Sequence, residues 1–147
     1  DSIKLHQSRL REGDLVCVRV GYPGITAVVT PELEGANCAS VAIIRRGDFN
    51  SNWLCYAMNS QAGRKQVEIV QYGAAQKQFN IADAVEFWFA IPPKDEQERL
   101  VTFLEAARSK FDRLESAAAR QIGLLKERRT ALISAAVTGK IDVRKES

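Results

Sequence analysis

The chain has 147 residues, 46% of them hydrophobic and 27% charged, a balance that excludes overall disorder and leaves room for one ordinary core plus an appendage. No run approaches the roughly 18 to 20 uninterrupted apolar residues of a membrane span, and the polar start Asp1-Ser2-Ile3-Lys4 lacks signal-peptide form, so a cytoplasmic location is expected. The net charge of +3 lies wholly in residues 91–147, with twelve Lys/Arg against nine Asp/Glu. Residues 1–90 carry nine of each, so any nucleic-acid role must be local or shared with partners.

In chain order, Leu10 to Asp14 reads as a turn and Leu15 to Val20 as a strand in which β-branched residues alternate with Leu, Cys and Arg. Gly21-Tyr22-Pro23-Gly24 supplies a turn, and Ile25 to Val29 returns as the second strand of a hairpin. Cys38 to Ile44 is the third strand, ended by Arg45-Arg46-Gly47-Asp48. Asn50, Ser51 and Asn52 offer N-cap side chains to a short helix whose apolar face is Trp53, Leu54, Ala57 and Met58. Val67, Ile69 and Val70 suit either a second helix or a strand over residues 64–72. Gly73 to Asn80 is a polar loop, and the alternation of Val85, Phe87, Phe89 and Ile91 predicts a half-buried strand closed by Pro92-Pro93.

Beyond the prolines one helix is predicted over residues 95–138, about 66 Å at roughly 1.5 Å per residue. Asp95 and Glu98 have the spacing of a capping box, and Gly139 is placed to end the helix. Leu104, Phe111, Ala118, Leu125 and Leu132 recur every seven residues, with Leu100, Ala107 and Leu114 as the second seam in the first half. An eleven-residue register through Leu100, Phe111, Ile122 and Ile133 leaves the supercoil hand open. So long a stripe must pack on something beyond its own domain.

Cys17, Cys38 and Cys55 are 21 and 17 positions apart, which fits neither a disulfide framework nor a zinc site, and buried free thiols are expected. The single His6 lies apart from them. The chain lacks a phosphate-binding Gly-x-x-x-x-Gly-Lys loop, a dinucleotide fingerprint and an Asn/Asp-Pro-Pro-Tyr motif. No catalytic residue and no metal ligand is therefore assigned, and thiol chemistry at Cys17 or Cys55 is a distant third class of function.

The run Ile91-Pro92-Pro93-Lys94-Asp95-Glu96-Gln97-Glu98-Arg99-Leu100-Val101, continued by Leu124-Leu125-Lys126-Glu127-Arg128-Arg129-Thr130-Ala131-Leu132-Ile133 and by Gly139-Lys140-Ile141-Asp142-Val143-Arg144, resembles the helix that closes the DNA specificity subunit of type I restriction-modification enzymes. The Gly13-Asp14 strand, its Arg19-x-Gly21-x-x-Gly24 turn, and Tyr72-Gly73 through Gln76 to Phe79-Asn80-Ile81 resemble the later half of that family's target-recognition domain. Ala74 and Ala75 depart from the family, standing where it often carries a small hydroxyl residue.

The resemblance implies an α/β fold: residues 1–91 as the distal part of a target-recognition domain with short strands and helices, then residues 92–147 as one long helix forming a coiled-coil spacer, with a short tail. A C-terminal fragment or naturally shortened half-subunit is expected. The implied role is non-catalytic DNA recognition and assembly, with double-stranded DNA, the methyltransferase subunit and the restriction subunit as partners and a homodimer formed through the long helix. S-adenosylmethionine, ATP and magnesium are expected only on partner subunits. The alternative is a helix-mediated oligomerisation module without independent DNA recognition. Side chains suited to base edges or phosphates are Arg19 and Tyr22 in the first turn, Arg45 and Arg46 after the third strand, and Gln71, Tyr72, Gln76, Lys77 and Gln78 around the polar loop. Lys126, Arg128 and Arg129 are candidates for docking the methyltransferase subunit, with an ordinary solvated helix end equally compatible.

Overall fold

The computed structural model describes residues 8–71 and 80–141. Three short strands form one antiparallel sheet in the order β2-β1-β3, where β1 is Leu15–Val18, β2 is Thr26–Val28 and β3 is Val41–Ile44. Leu15 pairs with both Val28 and Ile44, and Val18 pairs with Val41, which fixes which loops share an end of the sheet. Leu15 and Cys17 point into the core and are buried, as the two-residue period of a strand requires. The third strand begins later than its composition predicts, because Ser40 sits at φ 65, a left-handed conformation that interrupts the extended run.

Helix α1, Ser51–Asn59, is capped by Asn50, whose Oδ1 accepts the Trp53 N–H at 3.1 Å. Trp53 and Met58 are buried on its expected apolar face. Helix α2, Gln61–Gln71, resolves the ambiguous segment. A strand would put Val67 and Ile69 on one side, whereas the helix turns them apart: Val67 is 3% exposed and Ile69 72%. The two helices meet at Ser60, whose hydroxyl donates to Ala57 O at 2.7 Å and whose N–H also reaches Ala57 O. The corner is so tight that a Cβ on Gly63 would lie 2.3 Å from Met58 O, leaving glycine as the one residue that fits.

The strand predicted over residues 85–91 does not form. A short helix α3, Ile81–Ala84, comes first, and its last turn captures Val85 N–H on Ile81 O. Phe87 and Phe89 still pack against the core of Cys17, Ala42, Met58 and Val67. The backbone beside them is satisfied by a side chain instead of a sheet: Trp88 N–H donates to Gln66 Oε1 at 2.6 Å and Gln66 Nε2 donates to Trp88 O at 2.9 Å. Apolar alternation marks half-buried positions, but among the described residues no strand pairs with this run, and the Gln66 amide supplies the pairing.

Helix α4, Lys94–Val137, is 44 residues long. Asp95 does not act as a cap: it lies inside the first turn and its carboxylate faces Arg99 at 3.5 Å. At the far end Gly139, at φ 72, donates its N–H to Ala136 O and Lys140 donates to Ala135 O, the pair of bonds that defines a Schellman ending. The chain divides into two compact units, Asp1–Thr102 and Phe103–Ser147, so the first two turns of α4 belong to the N-terminal unit. Gln97 and Val101 in those turns are buried.

Candidate functional site: sheet-end loops and an open helix stripe

The sheet register separates the expected DNA-contacting residues into two groups. Ile44 is paired with Leu15, so Arg45 and Arg46 leave the sheet at the start of β1, while Arg19 and Tyr22 follow its other end at Val18. A four-residue strand separates the two groups by about 10 Å at roughly 3.3 Å per residue.

The Arg45 group is tied into the fold. Asp14 is buried, and its Oδ2 lies 2.5 Å from Arg45 Nη1 and accepts the Arg11 N–H at 3.1 Å, while Oδ1 accepts the Arg46 N–H at 3.0 Å. Arg45 Nη1 also donates to Arg9 O at 2.8 Å. Burial pushes the Asp14 carboxyl up, but the Arg46 backbone N–H, the Arg45 guanidinium and the Arg11 N–H together outweigh it and hold the pKa below its ordinary value. Arg45 therefore neutralises a buried charge. Arg46 shares only its backbone with Asp14, and its side chain lies over Gly13 and remains exposed.

At the other end, Tyr22 is 79% exposed in the turn between β1 and β2. That turn rests on α2: a Cβ on Gly24 would lie 2.8 Å from Val67 Cγ2. Gln71, the last residue of α2, is one helical turn beyond Val67 and on the same side. The contact between the β1–β2 turn and α2 is the one between Gly24 and Val67, with Gln71 one helical turn further along α2. Tyr72, Gln76, Lys77 and Gln78, with Ala74 and Ala75, lie outside the described residues.

Helix α4 beyond Thr102 carries its apolar stripe to solvent. Of the seam, Leu104 and Ala107 are half-buried, whereas Leu100, Phe111, Leu114, Ala118, Leu125 and Leu132 are exposed, Phe111 by 68% and Leu125 by 62%. Ile122 and Ile133 of the eleven-residue register are exposed as well. The pairs Arg108–Asp112 and Asp95–Arg99 run along the polar side at helical spacing.

Cys17 is buried as expected, while Cys38 and Cys55 are only partly so. Burial raises the Cys17 thiol pKa, the opposite of what a nucleophile needs. Among the described residues no cluster of His, Cys, Asp or Glu could hold a metal ion, and no helix is long and apolar enough to cross a membrane.

Sequence reading missed a set of amides. Asn59 Nδ2 donates to Thr26 O at 2.7 Å and its Oδ1 accepts the Thr26 N–H at 3.2 Å, closing the outer side of β2. Gln66 does the same for Trp88. Gln97 Oε1 accepts the Asn50 N–H at 2.7 Å and Nε2 donates to Pro92 O at 2.8 Å. Each side chain satisfies one backbone N–H and one C=O, all of them remote in sequence except Pro92 O, five residues before Gln97.

A three-stranded antiparallel sheet with short helices and a long C-terminal helix is the fold of part of a type I restriction-modification specificity subunit. The crystal structure of the HsdS subunit from Thermoanaerobacter tengcongensis has this fold, with a TM-score of 0.64 at 20% sequence identity over 95% of this chain and 36% of that one. A second HsdS structure, from work on complex assembly and conformational transition of the type I R-M system, gives a TM-score of 0.68 at 19% identity over the same shares. The chain therefore spans about a third of the length of the structures it matches. No protein family model and no curated relative matches it.

Proposed function

We propose that the chain is the DNA sequence recognition and assembly module of a type I restriction-modification system and carries no catalytic centre of its own. The observation that carries this reading is the match of its fold, over 95% of its length, to HsdS specificity subunits. The recognition surface is built on the β1–β2 turn with Arg19 and Tyr22, on Gln71, and on Tyr72, Gln76, Lys77 and Gln78 that follow. Arg46 adds a cation at the other end of the sheet, and Arg45 supports it through Asp14. Residues 1–91 act as the recognition domain and residues 92–147 as the spacer.

The seam of α4 pairs with the same helix of a second copy, since five positions from Leu104 to Leu132 would otherwise leave a continuous apolar stripe in water. Burying each large side chain is worth about 1.5 to 3 kcal/mol. A two-fold pair presents two identical recognition surfaces, so the target is a two-part palindrome with a fixed gap. S-adenosylmethionine, ATP and magnesium belong to the methyltransferase and restriction subunits, and the assembled system acts in the cytoplasm. With nine Lys/Arg balanced by nine Asp/Glu in residues 1–90, the chain alone binds DNA weakly, with a Kd of about 10⁻⁴ to 10⁻⁶ M and strong salt dependence.

Reconstitution with the methyltransferase subunit of the same system, followed by salt titration of DNA binding, tests the reading. The complex is expected to bind a selected site far more tightly than random duplex, and the chain alone is not. A chain that dimerises but adds no sequence preference to the complex favours the oligomerisation module, a reading supported by the engagement of Arg45 with Asp14.

A further inference from the structure

One buried carboxylate fixes the backbone of an arginine-rich end of the sheet. Asp14 is 2% exposed and accepts the N–H groups of Arg11 and Arg46 at 3.1 and 3.0 Å. Arg45 Nη1 lies 2.5 Å from it and also donates to Arg9 O at 2.8 Å. Four arginines from two segments remote in sequence are thus tied to one side chain, and only the Arg45 charge is neutralised there. Arg9, Arg11 and Arg46 are exposed, and among the described residues their guanidiniums have no ion-pair or hydrogen-bond partner. The Arg46 stem lies against Gly13, where an added Cβ would come within 3.1 Å of its Cδ, and Ser51 Oγ donates to Gly13 O at 2.6 Å. Against these three cations stand Glu12, Glu34, whose carboxylate accepts the Glu12 N–H, and Asp48, which pairs with Lys94, so the cations remain in excess.

We propose that Arg9, Arg11 and Arg46, spread around Asp14, are a sequence-independent anchor for DNA phosphates, with Asp14 as the residue that positions them. This rests on the DNA-recognition reading above and gives that reading a second surface of different chemistry. A protein partner would need exposed apolar anchors, whereas Leu10, the one apolar side chain between Arg9 and Gly13, is 5% exposed. Guanidiniums offer only donors, which every phosphate accepts, while reading an adenine edge calls for a paired donor and acceptor such as the Gln71 amide.

The test is a salt titration of binding to a random-sequence duplex by the full chain. Each of Arg9→Gln, Arg11→Gln and Arg46→Gln is expected to lower the slope of log K against log salt by about one, as the loss of one phosphate contact requires. Arg64→Gln, at an exposed arginine outside the cluster, keeps the wild-type slope. Asp14→Asn separates placement from charge. It removes a negative charge, so a purely coulombic effect would tighten binding, whereas loss of the hub weakens it about threefold or more. Should Asp14→Asn fail to fold, the three arginine variants decide alone. Wild-type slopes in all three, an equal drop in Arg64→Gln, or tighter binding by folded Asp14→Asn overturns the proposal. Loss of methyltransferase-subunit binding with the DNA slopes unchanged overturns it too, by assigning the cluster to a protein. A wild-type chain that binds no DNA even at low salt refutes the recognition reading itself, so the two failures are told apart.

Discussion

Gln97 Oε1 accepts the backbone N–H of Asn50 at 2.7 Å, and Asn50 in turn caps α1 through its own side chain at 3.1 Å. The start of the long helix and the start of α1 are therefore one hydrogen-bonded unit, 47 residues apart in sequence. Replacing Gln97 with Met takes this partner from the part-buried Asn50 N–H and Pro92 O, at about 1 to 2 kcal/mol for each group. Chemical denaturation should show a loss of about 2 to 4 kcal/mol, larger than for Thr102→Ala on the exposed side of the same turns.

Asp14 makes the fold acid-sensitive. Its folded pKa is lowered, so it stabilises the native state at neutral pH, and this contribution holds down to the ordinary carboxylate value of about 3.9. It is lost as pH falls from there through the lower folded value. Asp14→Asn should therefore be less stable than wild type at pH 7, by about 1.5 to 3 kcal/mol for the weakened charged hydrogen bonds. The gap between the two proteins should close below pH 4, as read by thermal melts across pH.

Arg45 and Tyr22 should behave differently although both are suited to DNA. Arg45→Ala strands the buried Asp14 and should lower stability by about 1.5 to 3 kcal/mol. Tyr22→Ala removes an exposed side chain and should leave stability within about 0.5 kcal/mol. In DNA binding by the reconstituted complex the order reverses, with Tyr22→Ala and Gln71→Ala altering base preference and Arg45→Ala altering mainly the amount of folded protein.

What could be read in the sequence was local. Asn50 as a cap and Gly139 as a helix stop each follow from residues within a few positions of one another, and both stand in the structure. The run from Val85 to Ile91 was misread because apolar alternation identifies half-buried positions but does not supply a neighbouring strand. The partners of Gln66, Asn59 and Gln97 are 22, 33 and 47 residues away, and no local pattern marks one amide among many. Residue type and loop position mark Arg45 as a DNA contact, while its partner in the fold is Asp14, 31 residues earlier.

The corner between α1 and α2 should tolerate no side chain. Gly63→Ala places a methyl 2.3 Å from the Met58 carbonyl oxygen, and the backbone must shift to admit it. A loss of about 2 kcal/mol or more is expected in urea denaturation, against the usual gain in helix propensity from such a change.

The exposed stripe predicts self-association. Sedimentation at tens of micromolar should give a dimer for the wild-type chain and a monomer for Leu125→Lys, which places a charge in the middle of the seam. A wild-type monomer unaffected by the substitution removes the basis for a two-part target.

The most direct measurement is selection from random duplex oligonucleotides by the chain assembled with its methyltransferase subunit. The expected result is enrichment of a two-part palindromic sequence with one fixed gap, whose half-site letters change when Tyr22 or Gln71 is replaced. Equal recovery of all sequences by the assembled complex contradicts the recognition role.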